Sequence, residues 1–422
     1  MNATRVKAAP VWERRLLATV DDGPDLAVHQ QHWGPLPSAR APELLSAVQA
    51  SGLLGRGGAG FPTARKMLTV AAARGRTVVV ANGAEGEPAS AKDRLLLMRA
   101  PHLVLDGIQL AAKIVHADEA YLVLHGGTGT TEQVYAAMHQ RRDRVGVELR
   151  ELPAAYVASE ESALVHWLSG GEAKPTFTPP RPFERGVNGR PTLVNNVETL
   201  AHLATIVRRG GEWFREAGDA DEPGTLLVTV SGRGVDRRVA EVPTGIRIGD
   251  VLERAGVDVA GSQAVLVGGY FGTWLPADLA AQLPLSHHAL RAAGGALGAG
   301  ILVALPRDSC GVAETARVAA YLAAHNAGQC GPCLNGLPSL AGALNALATG
   351  RWDERWWPAL ERWMAVVPGR GACRHPDGAV RFIASGLSVF AADVAEHRAG
   401  RPCASVSSPA LLRVPAVPPA WR

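Results

Sequence analysis

A chain of 422 residues is long enough for about two to four domains. Apolar residues at 47% and charged residues at 19% describe an ordinary globular protein, and a net charge of +4 is too small to argue for nucleic acid or a membrane surface as a partner. The start, MNATRVKAAPVWERRLLATV, is broken by charge and by Pro10, and the longest apolar run, 296–305, is too short to span a bilayer, so a cytoplasmic protein without direct membrane insertion is expected.

Residues 1–42 are rich in Pro, Gly and charge without a sustained period, and read as a poorly structured lead-in. Alternation then begins. Helices are predicted over 42–51 and 63–74, with a glycine-rich loop over 53–62 between them, and TVVVAN at 77–82 reads as a buried strand. Helices over 90–99, 101–115 and 129–142 and strands over 120–125 and 145–152 continue the pattern of an α/β fold with a largely parallel sheet. Residues 153–200 hold many loop formers, followed by a helix over 197–209 and a boundary at REAGDADEPG. Strands at 225–232, 238–243 and twice within 263–276, with a short helix over 246–256, predict a small α+β domain. After the strand GILVALP, helices are expected over 312–324, 337–348, 355–364 and 379–397, then a Pro- and Ser-rich flexible tail, 401–422.

Four segments carry candidate chemistry. Gly55-Arg56-Gly57-Gly58-Ala59-Gly60 fits G-x-G-x-x-G, where missing Cβ atoms let backbone N–H groups approach phosphate. The loop follows a helix rather than a strand, so the usual dinucleotide fingerprint is not inferred, and a tight turn between helices explains it equally simply. Asn82–Pro88 (NGAEGEP) lies at the C-terminal end of a strand, where open α/β sheets bind ligands; Glu85 and Glu87 there can accept hydrogen bonds from ribose or an amide, or form a solvated acidic turn. Tyr156–Leu164 (YVASEESAL) sets an aromatic ring beside Glu160 and Glu161, although acids in a first helical turn need no function to explain them. Asn195 and Asn196, in NNVET, offer the donors and acceptors that a flavin requires, or a plain helix N-cap.

In order along the chain, GRGGAGFPTARK (55–66), NGAEGEPASAKDR (82–94), PHLVLDGIQLAA (101–112), YVASEESAL (156–164), GRPTLVNNVET (189–199), CGPC (330–333) and Cys373 resemble one family. It is that of the NADH-binding flavoprotein subunit of respiratory complex I and its relatives in NAD-linked hydrogenases and formate dehydrogenases, and the likeness covers residues 43 to 398. The resemblance implies a Rossmann-like FMN- and NAD(H)-binding domain (43–222), a ubiquitin-like SLBB domain (223–308) and a helical iron–sulfur domain (309–400). It implies that FMN takes a hydride from NADH and releases electrons singly to a [4Fe–4S] cluster and then to a ferredoxin-like or other redox protein, within a larger complex. Carried over residue by residue, Gly55, Gly57, Gly58, Gly60, Phe61, Lys66, Asn82, Glu85, Glu87, Tyr156, Glu160, Glu161, Asn195, Asn196 and Thr199 are the expected cofactor contacts. Glu85, Glu87 and Glu161 are the expected catalytic acids. The chain departs from the family at Ala84, where an acid is usual, at Ser159, and at Arg181, which stands for a stacking aromatic and leaves NADP(H) open. Two further readings stay open: a binding or structural subunit with degenerate cofactor sites, and a peripheral subunit of a ferredoxin:NAD oxidoreductase-like complex.

Five cysteines, odd in number and gathered toward the C-terminus, argue for a metal or redox site rather than a disulfide framework. The family pattern is Cys-x2-Cys-x2-Cys with a distant fourth; Cys330, Cys333 and Cys373 match it, but the first position is Ala327. A [4Fe–4S] cluster completed by a non-cysteine ligand such as His325, His375 or water, or by Cys310, is one reading. A three-iron or labile cluster, a zinc ion on Cys330, Cys333, Cys373 and His375, and a dithiol or empty site are the others. Cys403 is read as incidental.

Overall fold

A computed structural model describes residues 14–126, 129–407, 409–416 and 419–421. TVVVAN, apolar almost throughout, forms β1 (Thr77–Asn82), and its continuous apolar run suits a strand covered on both faces. It lies inside an all-parallel sheet with β2 (Ala117–His125), β3 (Val147–Leu152) and β4 (Thr192–Asn196), in the order β3-β2-β1-β4. β4 falls where the sequence shows only loop formers: TLVNN is five residues long, and its pairing with β1, Val80 opposite Val194 and Asn82 opposite Asn196, makes it a strand.

Helix Pro101–Val115 is buried at every residue except Lys113 and packs on helix Val197–Arg209. Gly107 allows this approach, since a Cβ there would lie 2.0 Å from the Leu200 carbonyl oxygen. No single helix is long and apolar enough to cross a membrane among the described residues.

The second sheet holds β5 (Thr225–Gly232), β6 (Val235–Pro243), β7 (Ser262–Val267), β8 (Thr273–Pro276) and β9 (Ile301–Pro306), in the order β6-β5-β9-β7-β8. β9 enters parallel to β5 and antiparallel to β7. Strand alternation divides its residues between two cores: Val265, Leu302 and Ala304 pack with helix Ile248–Arg254, whereas Leu266, Ile301 and Val303 meet the C-terminal helices.

Those helices are Gly311–Ala324, Leu337–Ala348, Trp357–Val366, His375–Val389 and Ala391–Arg398. The single helix expected over 379–397 is two, bent by 84° beside Phe390, whose buried ring sits against Gly311 and Trp274.

Two expectations are corrected. Residues 1–13 of the supposed lead-in lie outside the described residues, but from Arg14 onward it is ordered: Leu16, Leu17 and Val20 join the core, and Leu26–Trp33 is a helix. The amides of Arg15, Leu16 and Leu17 donate to the Glu241 carboxylate, a tertiary anchor invisible to local periodicity. The tail is not flexible where described. The Leu411 and Leu412 amides donate to Glu314 at 2.9 and 3.0 Å, Tyr270 Oη donates to the Arg413 carbonyl, and the Trp421 carbonyl accepts from the Ala173 amide. Its few apolar side chains dock with one short 3-10 turn, Ala404–Ser407, as the regular element among the described residues.

Candidate active site

The C-terminal ends of β1 and β4 meet at Asn82 and Asn196, opposite each other in register. Asn196 caps helix Val197–Arg209 through its Oδ1, which accepts from the Glu198 amide, and its Nδ2 donates to Asp93 Oδ2 at 2.7 Å. The cap reading is therefore true of Asn196. Asn195 differs: its Nδ2 is buried with no partner. Asn82 Nδ2 donates to the Ser159 carbonyl at 2.9 Å, tying the strand end to the YVASEESAL segment.

The glycine loop closes over this edge. Leu54 pairs with Pro62, the Gly55 amide donates to the Phe61 carbonyl at 2.9 Å, and the Arg56 amide donates to Thr199 Oγ1 at 2.8 Å. A cleft of about 420 Å³ opens between the loop and the strand ends. Gly55, Gly57, Gly60, Phe61, Lys66, Asn82, Glu85, Glu87, Glu160, Glu161, Asn195, Asn196 and Thr199 all line it. Gly58 and Tyr156 do not. Gly58, at φ +103°, faces Gly298 of the second domain, where a Cβ would lie 3.1 Å from the carbonyl oxygen, so it serves domain packing rather than a phosphate. Tyr156 lies behind the cleft and donates to Glu87 Oε2 at 2.8 Å.

The carboxylates have separate tasks. Glu85 accepts from Ser90 Oγ and from the Asp93 and Arg94 amides, capping helix Lys92–Arg99; burial and the nearby Asp93 raise its pKa. Glu160 caps helix Glu161–Leu168 through the Ser162 and Ala163 amides, and burial raises its pKa. Glu161 pairs with Lys66 Nζ at 2.6 Å, which also donates to the Val194 carbonyl. Glu87 Oε2 accepts from Tyr156 Oη and the Tyr270 amide, while Oε1 is buried without a partner. Burial lifts its pKa to about 7 against hydrogen bonds from the Tyr270 amide, the Tyr156 hydroxyl and the Ala89 amide.

Sequence reasoning missed the floor. Lys92, 3% exposed, donates to Asp93 at 2.7 Å and Glu198 at 2.8 Å; burial opposes its charge, but the two carboxylates outweigh that and raise its pKa. The charges in AKDR were the available signal. Arg181, by contrast, is exposed outside the cleft, its amide bonded to Glu184.

FMN fits this cleft. The buried, unpartnered Asn195 Nδ2, Glu87 Oε1 and Thr63 Oγ1 all belong to lining residues, and buried polar groups are stable only when partnered.

Cys330, Cys333 and Cys373 come together between helices Gly311–Ala324 and His375–Val389, close enough to influence one another. Burial, then Cys330 and Cys373, push the Cys333 thiol up to about 12, and burial, Glu160 and Cys330 push Cys373 up to about 11. Three thiols suit an iron–sulfur group, whose iron takes soft, charged thiolate sulfur as ligand. The single zinc ion on Cys330, Cys333, Cys373 and His375 fits less well, because no three of these ligand atoms lie within 4.8 Å of one another. Cys310 is not placed to be the fourth ligand. It N-caps helix Gly311–Ala324, about 21 Å long for 14 residues at the helical rise, whereas His375, next but one to Cys373, bonds Leu322 at the helix's other end. Cys310 meets instead His397 and Cys403, so Cys403 is not incidental. Tyr156 spans the two sites: its hydroxyl holds Glu87 and its ring packs on His375 at 5.8 Å between centroids.

Two family models match the chain: the Nuo51 FMN-binding domain over residues 48–205, and the NADH-ubiquinone oxidoreductase-F iron–sulfur binding region over residues 313–397. An F subunit of the NADH-quinone oxidoreductase of Rhizobium meliloti is 31% identical, covering 93% of this chain and 99% of the relative. The corresponding F subunits of Streptomyces coelicolor and Escherichia coli are each 30% identical, over 91% and 82% of this chain and 90% and 82% of theirs. Among solved structures, an NAD+-reducing [NiFe]-hydrogenase in the H2-reduced state superposes with a TM-score of 0.81 at 31% identity, covering 92% of this chain and 66% of the hydrogenase chain. The chain belongs to the family of NADH-quinone oxidoreductase F subunits, electron-transfer flavoproteins with an FMN-binding domain and a [4Fe–4S]-binding region.

Proposed function

We propose that this chain oxidises NADH at the cleft and passes the electrons through the Cys330–Cys333–Cys373 site to a ferredoxin-like or other redox protein, within a larger assembly in the cytoplasm. The observation that carries this reading is the set of buried, unpartnered polar atoms, Asn195 Nδ2, Glu87 Oε1 and Thr63 Oγ1, in the wall of one cleft at the sheet's C-terminal edge. FMN, when bound, supplies the conversion of a two-electron hydride into single electrons. Asn82, Asn195, Asn196 and Thr199 hold the flavin side, and the glycine loop with Phe61 covers the nucleotide. Lys66, fixed by Glu161 and the Val194 carbonyl, sets a cation at the wall. Glu160 and Glu161 set carboxylates at the cleft wall, Glu161 paired with Lys66, and these favour the free ribose hydroxyls of NADH over a 2′-phosphate.

His375 is the fourth ligand that best suits the three cysteines. Its Nε2 bonds the Leu322 carbonyl at 2.9 Å and its Nδ1 is buried without a partner, the arrangement of a metal-bound imidazole steadied by its other nitrogen. Burial lowers its pKa to about 4, which keeps it neutral. Leu334, 61% exposed beside Cys333, offers an apolar contact for the electron acceptor.

Protein purified without air should be yellow-brown, release FMN on denaturation and contain iron and acid-labile sulfide. Stopped-flow mixing should bleach the flavin faster with NADH than with NADPH. A colourless protein that fails to take up added FMN refutes the reading.

A further inference from the structure

One group of side chains takes no part in electron transfer from the cleft. Cys310 Sγ, His397 Nε2 and Cys403 Sγ lie within 4.8 Å of one another, with Cys310 and His397 buried and Cys403 half-buried. The two sulfur–nitrogen distances are 3.6 and 3.3 Å. Ligands about 2.3 Å (sulfur) and 2.0–2.1 Å (nitrogen) from one tetrahedral zinc stand about 3.5 Å apart, so the spacing fits a single ion with little movement.

Hydrogen bonding alone does not explain the arrangement. His397 Nδ1 meets the Leu347 carbonyl at 3.1 Å, which fixes the proton on Nδ1 and leaves Nε2 a single lone pair. Two sulfurs and the Cys403 amide, at 3.3 Å, all converge on that one lone pair. It can satisfy one of them. A cation at the centre satisfies the imidazole and both sulfurs, and the Leu347 carbonyl then holds the ring as such carbonyls do at metal-bound histidines. On the other side, the Ala313 amide at the helix N-terminus donates to Cys310 Sγ at 3.3 Å.

We propose that Cys310, His397 and Cys403 form a structural zinc site, separate from the iron–sulfur cysteines by the length of helix Gly311–Ala324. Binding converts two thiols to thiolates and releases two protons, and two thiolates with one Zn2+ leave a neutral buried unit. Ser405 Oγ lies 3.6 Å from the Cys403 sulfur, so that hydroxyl or a water would complete the four-coordinate set. The site clips the start of the C-terminal tail to the first and last helices of its domain. Farther along, the same tail bonds Glu314 and supplies the Arg413 carbonyl to Tyr270, whose amide holds Glu87. The zinc therefore secures a strap that runs behind the flavin cleft.

The test uses the full chain, purified anaerobically and dialysed with excess Zn2+ and then against a weak chelator. Elemental analysis should find one zinc per chain in the wild type and in Cys333→Ala, and none at this site in Cys310→Ala or Cys403→Ala. Cobalt(II) should give the intense visible bands of a tetrahedral thiolate site in the wild type and in Cys333→Ala, but not in Cys403→Ala. Cys403 lies outside the helices, so Cys403→Ala should keep its flavin and carries the test even if Cys310→Ala does not fold. Equal zinc in wild type and Cys403→Ala overturns the proposal, as does zinc in neither. A Cys310–Cys403 disulfide found by mass spectrometry in protein prepared without reductant also overturns it.

Discussion

The flavin cleft and the cysteine loop are built in opposite ways. The cleft stands on strand ends and helix caps, and beneath it Lys92, Asp93 and Glu198 hold each other while Glu198 Oε1 also takes the Leu227 amide at 2.7 Å. Each of those buried charges is partnered within the protein. The cysteine site draws Cys330 and Cys373 from segments between helices and Cys333 from the π-helical turn Pro332–Gly336, and burial pushes two of the thiols well above their ordinary range. A bound metal group is what would hold these thiols as thiolates. The cleft is preorganised by the chain; the loop is completed by its cofactor.

The largest effect should come from breaking the cleft's own support. Lys92→Met leaves Asp93 and Glu198 buried without their cation, a loss of about 3–5 kcal/mol for a broken buried pair. Chemical denaturation should show that loss, and FMN should be released at much lower denaturant. A drop of less than about 1 kcal/mol would mean that water reaches this floor and that the cleft is no more self-supporting than the loop.

The loop can be sharpened in the other direction. Ala327 is 6% exposed and stands where the family places a cysteine. Ala327→Cys should slow the loss of iron in air, and His375→Ala in the same background should then be tolerated. If Ala327→Cys changes neither iron content nor air sensitivity, the backbone at 327 does not face the cluster.

Glu87 lies where the two regions touch, and it titrates. Burial raises its pKa to about 7, opposed by the Tyr270 amide and the Tyr156 hydroxyl. Between about pH 4.5 and 7 the folded protein therefore holds a proton that the unfolded chain has released. Stability from this group is fully present below that window and falls by up to about 3–4 kcal/mol as pH rises through it. Glu87→Gln removes the titration, so urea unfolding at pH 5 and pH 8 should show a smaller loss of stability in the variant than in the wild type. An identical pH dependence would place the proton elsewhere.

How much of this was legible in the sequence depended on distance along the chain. β1 and helix Val197–Arg209 have the predicted limits because a continuous apolar run and an Asn cap are local signals. β4 was hidden because five residues between Pro191 and Val197 show no period, and only pairing with β1 makes them a strand. The cleft residues lie in contiguous motifs and nearly all line one cavity, yet Gly58 and Tyr156, within the same motifs, face other parts of the structure. Tyr270 reaches Glu87 across 183 residues, and Cys310, His397 and Cys403 span 93 with no recognisable spacing. Contacts of that kind are decided by how the second sheet and the tail dock, which no local pattern encodes.

The smallest effect concerns nucleotide choice. Arg181 stands where a stacking aromatic is usual and invites pairing with a 2′-phosphate, but it is exposed, outside the cleft lining, in a turn held by the Arg181 amide on Glu184 and by the Thr192 amide on the Pro182 carbonyl. A surface substitution of this kind shifts free energies by about 0.5 kcal/mol or less, roughly a factor of two in rate. Arg181→Ala should therefore leave the ratio of flavin reduction by NADH and NADPH nearly unchanged in stopped-flow experiments. Neutralising Glu161, by contrast, should improve NADPH use relative to NADH, because a 2′-phosphate is repelled by carboxylates at the rim. A selective collapse of NADPH reduction in Arg181→Ala would show that the 177–186 segment folds over the nucleotide during turnover. The arginine, rather than the acidic rim, would then set the preference.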